Sequence, residues 1–177
     1  MIELVTTDGI FALDGGEWDV TNNIWLVGDE SAVVVVDAAH DHRPIVEAVA
    51  GRRVTAIACT HGHNDHINAA VALAEAVDAP IWLHPDDRML WDVVHPDRAP
   101  DRDLADGTVL RAGGVELAGL HTPGHSPGCV CFHAGGAVPV APTWCSRATR
   151  CSAAARARPG AATATSRRSS PRSARAC

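Results

Sequence analysis

The stretch that most constrains this chain is "CTHGHNDHINAA", residues 59–70. An apolar, strand-like run, "VTAIACT", delivers the backbone into three histidines and one aspartate within six positions, and an alanine-rich run with helical spacing follows at once. A strand that ends in ligand-type side chains and turns into a helix belongs to layered α/β domains, which build sites at such junctions. His61 and His63 lie two apart on an extended segment, so both rings can project the same way, with Gly62 expected to take up backbone strain. Asp65 and His66 begin the helix and point in divergent directions. One loop can thus furnish two neighbouring metal pockets, since zinc favours imidazole nitrogens and carboxylate oxygens. The alternative is a polar loop whose rings cap the helix and solvate the strand end.

The surrounding sequence alternates strand and helix signals. "NIWLVGD" and "SAVVVVDAA" read as a hairpin of buried strands, and "RPIVEAVAG" as a short helix with proline near its start and Gly51 at its end. After the motif, "INAAVALAEAV" reads as a helix, "PIWLH" as a strand and "PDDRMLWDVV" as a helix opened by proline and two acids. "HPDRAPDRDLADG" reads as a polar loop, "TVLRAGGVELAGLHT" as a hairpin turning at Gly113-Gly114, and "GCVCFHAGG" as a further strand.

From about Pro142 this pattern ends. Residues 143–177 contain no Val, Ile, Leu, Met or Phe and have the composition of a disordered tail. All 21 acids lie at or before Glu116 and eight of the 15 arginines at or after Arg147, which puts residues 1–142 at −14 and the rest at +8. The expected organisation is a domain over residues 1–141 and a tail over 142–177. The six cysteines form no disulfide framework and read as reduced thiols. "MIELVTTDGIFALDGG" lacks the basic start and apolar stretch of a signal peptide, and no apolar run reaches membrane-spanning length, so a soluble, cytoplasmic protein is expected.

T-H-G-H-N-D-H, from Thr60 to His66, resembles the T-H-x-H-x-D-H signature of the metallo-β-lactamase superfamily. "HTPGHSPG", His121 to Gly128, is similar to that family's next motif, whose second histidine is a ligand. "VVVVDA", ending near Asp37, and "LHPDD", at His84, also fit. The resemblance covers about residues 3–138. It implies an αββα sandwich of two face-to-face sheets with helices outside, here its first half and the start of the second. It further implies that His61, His63 and His125 hold a first metal, that Asp65 and His66 belong to a second, and that a metal-activated hydroxide, oriented with help from the catalytic Asp65, attacks a substrate carbonyl. The metal implied is zinc, two in the family pattern and at most one here, with iron or manganese as alternatives. Pro123-Gly124 is a turn able to aim His125. His121 is expected to be structural, and His40, His42, His84, His95 and His133 to be surface or packing residues. Asp37 is either a support for the metal loop or a strand terminator.

The family pattern continues with a G-D-T-like segment, whose aspartate bridges the metals, and a later histidine. No aspartate follows Asp106 here and no histidine follows His133. Trp144 to Ser152 can, however, be encoded by codons that, read two bases later, give V-L-A-G-D-T-L-F. A frame shift between about Gly135 and Trp144 would account for the tail, and the expectation is an exposed inner sheet face, weak second-metal binding and low turnover.

Within the superfamily, "CTHGHNDHINAA" with "HTPGHSPGCVCF" looks most like the glyoxalase II (hydroxyacylglutathione hydrolase) group, which implies hydrolysis of a small thioester or ester. The alternatives are a mononuclear iron enzyme of the persulfide dioxygenase kind and a catalytically dead truncated product. No membrane association is expected. Nucleic-acid binding through the basic tail is the weakest reading, because that tail has one aromatic, Trp144, and no reading module.

Overall fold

Nine strands and four helices make up the computed structural model, which describes residues 1–136. The expected boundary at 141/142, the tail and the shifted frame lie outside the described residues. Strands β1 (Ile2–Leu13), β2 (Gly16–Gly28), β3 (Ala32–Val36), β4 (Arg53–Ala58), β5 (Ile81–Leu83) and β6 (Arg102–Asp103) form one sheet in that order. The first three pair antiparallel and the rest parallel. A second, antiparallel sheet holds β7 (Val109–Ala112), β8 (Val115–His121) and β9 (Val130–Gly136).

The valine run explains the layering. Successive side chains of a strand face opposite ways, so Val33 and Val35 enter a core with Ile45, Val49, Ile67, Leu73 and Trp91 from the helices. Val34 and Val36 enter a second core with Leu110, Leu117, Val130 and Phe132 from the small sheet. A strand buried on both faces needs a continuous apolar run, and this one has it. The inner face of the large sheet therefore has a partner across β3 and β4, contrary to the expectation of an exposed face.

Helix α1 (His42–Val49) is opened by Asp41, whose carboxylate accepts from Arg43 N at 2.9 Å, and ends at left-handed Ala50, one residue earlier than the sequence suggested. The helix expected from Ile67 onward is broken. A single turn, α2 (Asn64–Ile67), precedes α3 (Ala70–Val77), because Ala38 N donates to His66 O and Ala69 N to Ala38 O, each at 3.0 Å, stitching the loop after β3 into the gap. A 3-10 turn (Pro85–Asp87) leads into α4 (Arg88–Val94). The short β6 occupies what reads in the sequence as loop.

The long hairpin of β1 and β2 went unread in the sequence. Its twelve paired positions, Ile2 with Val27 through Leu13 with Gly16, turn at Asp14-Gly15. Both turn residues have positive φ, 51° and 80°, the tight turn that Asp-Gly favours because its twist matches that of paired strands.

Candidate metal centre

The loop between β4 and α2 leaves the sheet at Cys59, and the loop between β8 and β9 approaches it from the other sheet. Three ring nitrogens meet there. His61 Nε2 lies 3.1 Å from His63 Nδ1, which lies 3.0 Å from His125 Nε2. The three rings stand nearly edge-on to one another, at 84°, 73° and 90°, with centroids 4.7–4.8 Å apart.

Tautomers fix which nitrogens face inward. Asp37 Oδ1 accepts from Thr60 N at 2.7 Å and its Oδ2 from Thr60 Oγ1 at 2.9 Å. The Thr60 oxygen, its proton committed, accepts from His61 Nδ1 at 3.0 Å, which leaves the His61 Nε2 lone pair directed at the centre. Burial, reinforced by His66, His63 and His125, holds His61 well below the usual imidazole range, and burial and then His125 lower His63 from its ordinary value. Both are therefore neutral at pH 7, the form that binds a cation. Tetrahedral zinc with bonds of about 2.0–2.1 Å separates its ligand nitrogens by about 3.3 Å, so the observed spacing suits one ion with a position left open.

Asp65 and His66 form a second pocket beside the first, the His66 ring 4.2 Å from that of His61. They are not gathered into the three-histidine group. His66 Nδ1 donates to Asp37 Oδ2 at 2.8 Å, so its Nε2 carries the lone pair. Burial alone would lower the His66 pKa, but Asp37 and then Asp65 outweigh it and raise it. Asp65 Oδ1 is buried and has no hydrogen-bond partner. An orphaned carboxylate oxygen is costly, and a cation would relieve it. Of the two readings of Asp37, support for the metal loop is the one its bonds show. Its backbone sits at φ 63°, a left-handed position that aspartate tolerates.

Asp87 went unrecognised in the sequence. Fully buried, it accepts from Gly62 N at 2.8 Å, Ser126 Oγ at 2.6 Å and Gly128 N at 2.7 Å, so one carboxylate ties the His61–His63 loop to the His125 loop. Gly62 has a different role from the one expected. Its backbone is not left-handed, but an added Cβ would meet Asp87 O and Leu90 Cβ at 2.9 Å. Close approach, not strain relief, requires glycine there.

Asn64 donates to Ile10 O at 3.1 Å and accepts from Ala12 N at 3.2 Å, pinning the long hairpin over the site. Phe11 thereby lies 5.8 Å from the His63 ring and 5.7 Å from Trp18. His84, Asp86 and His121 form another group of ligand-type atoms. Its two rings stack at 4.0 Å and 14°, so they do not aim at a common point. The His84 Nδ1 lone pair already accepts from Asp86 N at 3.2 Å, and His121 Nε2 donates to Pro127 O at 2.9 Å. His84 caps the 3-10 turn.

A model of the metallo-beta-lactamase superfamily matches residues 18–138. The chain is 35% identical over 124 residues to an uncharacterized protein of Aquifex aeolicus, covering 63% of this chain and 59% of that one. It is 36% identical over 120 residues to a hydroxyacylglutathione hydrolase of Cereibacter sphaeroides, covering 63% and 43%. The chain thus spans only 43% to 59% of the length of these two curated relatives. Among solved structures, TTHA1623 in a di-iron-bound form shares 33% identity at a TM-score of 0.54, over 63% of this chain and 61% of that one. With the paired sheets, the histidine loop at the end of β4 and the family match across most of its length, this chain belongs to the metallo-beta-lactamase superfamily.

Proposed function

We propose that the protein is a zinc-dependent hydrolase of small thioesters, of the hydroxyacylglutathione hydrolase type. The observation that carries this reading is the convergence of His61 Nε2, His63 Nδ1 and His125 Nε2 within 3.1 Å steps, with the His61 tautomer fixed from behind. His61, His63 and His125 would hold one cation, and Asp65 and His66 would offer weaker ligands for another. A cation bound there supplies Lewis acidity for a carbonyl and lowers the pKa of a bound water. The chain's own residues do the rest. Asp37 and Thr60 keep the His61 proton on Nδ1, away from the site. Asp65 Oδ1, buried and unpartnered, would accept a proton. Phe11 and Trp18 give an apolar wall beside His63 for an acyl or thiol group.

The relatives named hydroxyacylglutathione hydrolase support the substrate class. The −14 balance of residues 1–142 disfavours nucleic acid as a partner. Among the described residues no helix is long and apolar enough to cross a membrane. The di-iron-bound relative keeps iron in view as the metal. The test is elemental analysis of the purified full chain together with thiol release from a hydroxyacylglutathione thioester. The expected result is one zinc per chain and hydrolysis that disappears on chelation and in His63→Ala. Iron as the bound metal, with oxygen consumption and no thiol release, would overturn the reading in favour of a persulfide dioxygenase-like enzyme.

A further inference from the structure

The second pocket contains an amide where a cation would be expected. Asn22, on β2, is 2% exposed. Its Nδ2 lies 3.0 Å from Asp65 Oδ2 and 3.3 Å from His66 Nε2, and its Oδ1 lies 3.1 Å from His40 Nε2.

Every orientation in this chain of contacts follows from its neighbour. His40 N donates to Asn68 Oδ1 at 2.6 Å, which turns Asn68 Nδ2 toward His40 Nδ1 at 3.2 Å. His40 Nδ1 therefore accepts, and its ring proton sits on Nε2 and is donated to Asn22 Oδ1. Asn22 can then present only its NH2 group to Asp65 and His66. From the other side, the His66 Nδ1 proton is committed to Asp37, so in the neutral ring His66 Nε2 accepts.

The backbone is shaped around this lock. His40 takes a left-handed backbone at φ 59°, and its ring lies where a Cβ on Gly9 of β1 would be, 2.1 Å from His40 Nδ1. Any other residue at Gly9 displaces the ring. His40, expected to be a surface or packing residue, is half-buried and belongs to the polar network behind the second pocket.

We propose that Asn22 is a built-in occupant of the second pocket. Held by His40 and Asn68, its amide takes the His66 Nε2 lone pair and one Asp65 oxygen, and it sets the cation stoichiometry at one by making a second ion displace it. Asn22 and His40 are positioning residues, and the inference rests on the metal-binding reading of the three-histidine pocket. Displacement forfeits a hydrogen bond to a buried carboxylate, worth about a tenfold change in an equilibrium, and a second one to the His66 ring.

The experiment titrates the metal-stripped full chain with cobalt(II). Visible absorption reports the geometry of each bound ion, elemental analysis gives the stoichiometry, and circular dichroism checks folding. Wild type should take one equivalent tightly and a second at least tenfold more weakly. Asn22→Ala should tighten the second equivalent about tenfold or more and leave the first unchanged. Gly9→Ala, which keeps Asn22 but displaces its lock, should tighten it by a smaller factor and carries the test if Asn22→Ala does not fold. Equal filling of both pockets by wild type, or a second affinity unchanged or weakened in the folded variants, overturns the inference alone. A wild-type chain that takes up no cobalt overturns the metal reading with it.

Discussion

Asp87 carries no metal-ligand role, yet removing its carboxylate leaves Gly62 N, Gly128 N and Ser126 Oγ without partners in a dry environment. Asp87→Ala should therefore destabilise the fold by about 3 kcal/mol and loosen cation binding, measured as a lowered urea midpoint and a weaker first cobalt equivalent. The buried imidazoles predict a pH response for the metal-free protein. His61, His63 and His40 sit below the ordinary 6.5, so the unfolded chain takes up protons there that the folded chain refuses, and stability falls as pH drops below 6.5. His66 is raised, so its contribution is fully present below 6.5 and is lost as pH rises through its higher folded pKa. The thermal midpoint of the stripped protein should therefore fall as pH drops below 6.5 and also as pH rises through the raised His66 pKa, and a cation should flatten the acid limb by excluding the proton from His61 and His63. At this scale the sequence displays His61, His63, Asp65 and His66 because one loop carries them all. Asn22, His40 and Asp87 stay hidden because each acts on residues far along the chain, and a lone Asn or Asp has no pattern to betray it.

The elements that read clearly in the sequence are those with one buried identity: the valine-rich β3, the apolar β4 and the hairpin of β7 and β8. Strand β1 and the first part of β2 give weak signals because little of them packs against a core, whereas the buried end of β2 does read as strand, in "NIWLVGD". Their alternation is between half-exposed and exposed positions, with Leu4, Ile10 and Trp18 about half exposed. Asp14-Gly15 was the available signal. The interrupted helix at Asn68 was illegible for another reason: alanine-rich sequence favours continuity, and only the backbone bonds from Ala38 break it. Under the proposed function, the hairpin's projection beside His63 would put it against the substrate. Phe11→Ala should raise KM for a thioester several-fold while changing kcat little, since an apolar wall contacts ground state and transition state alike. Steady-state kinetics on the zinc-loaded chain measure the split, and an unchanged KM removes the hairpin from the substrate's path.

For the molecule as a whole, the family and its layering were legible because two motifs 60 residues apart keep their order and context. We propose that the V-L-A-G-D-T-L-F frame restores the strand whose aspartate would complete the second pocket. A frame-restored chain should show at least tenfold higher thioester turnover and bind its second cation more tightly than the chain with the present tail. Equal activity of the two chains counts against that proposal. The Asp87 tie has a consequence for how the molecule assembles. His61 and His63 leave one sheet and His125 reaches the centre from the other, across 62 positions of chain, so the three-nitrogen cluster cannot exist until the two sheets have docked. Cation uptake is then a clock for that docking event. A stopped-flow refolding experiment read through cobalt absorption would time the meeting of the sheets. An ion bound at 100 times its Kd would deepen the native basin by about 2.7 kcal/mol without touching the earlier steps.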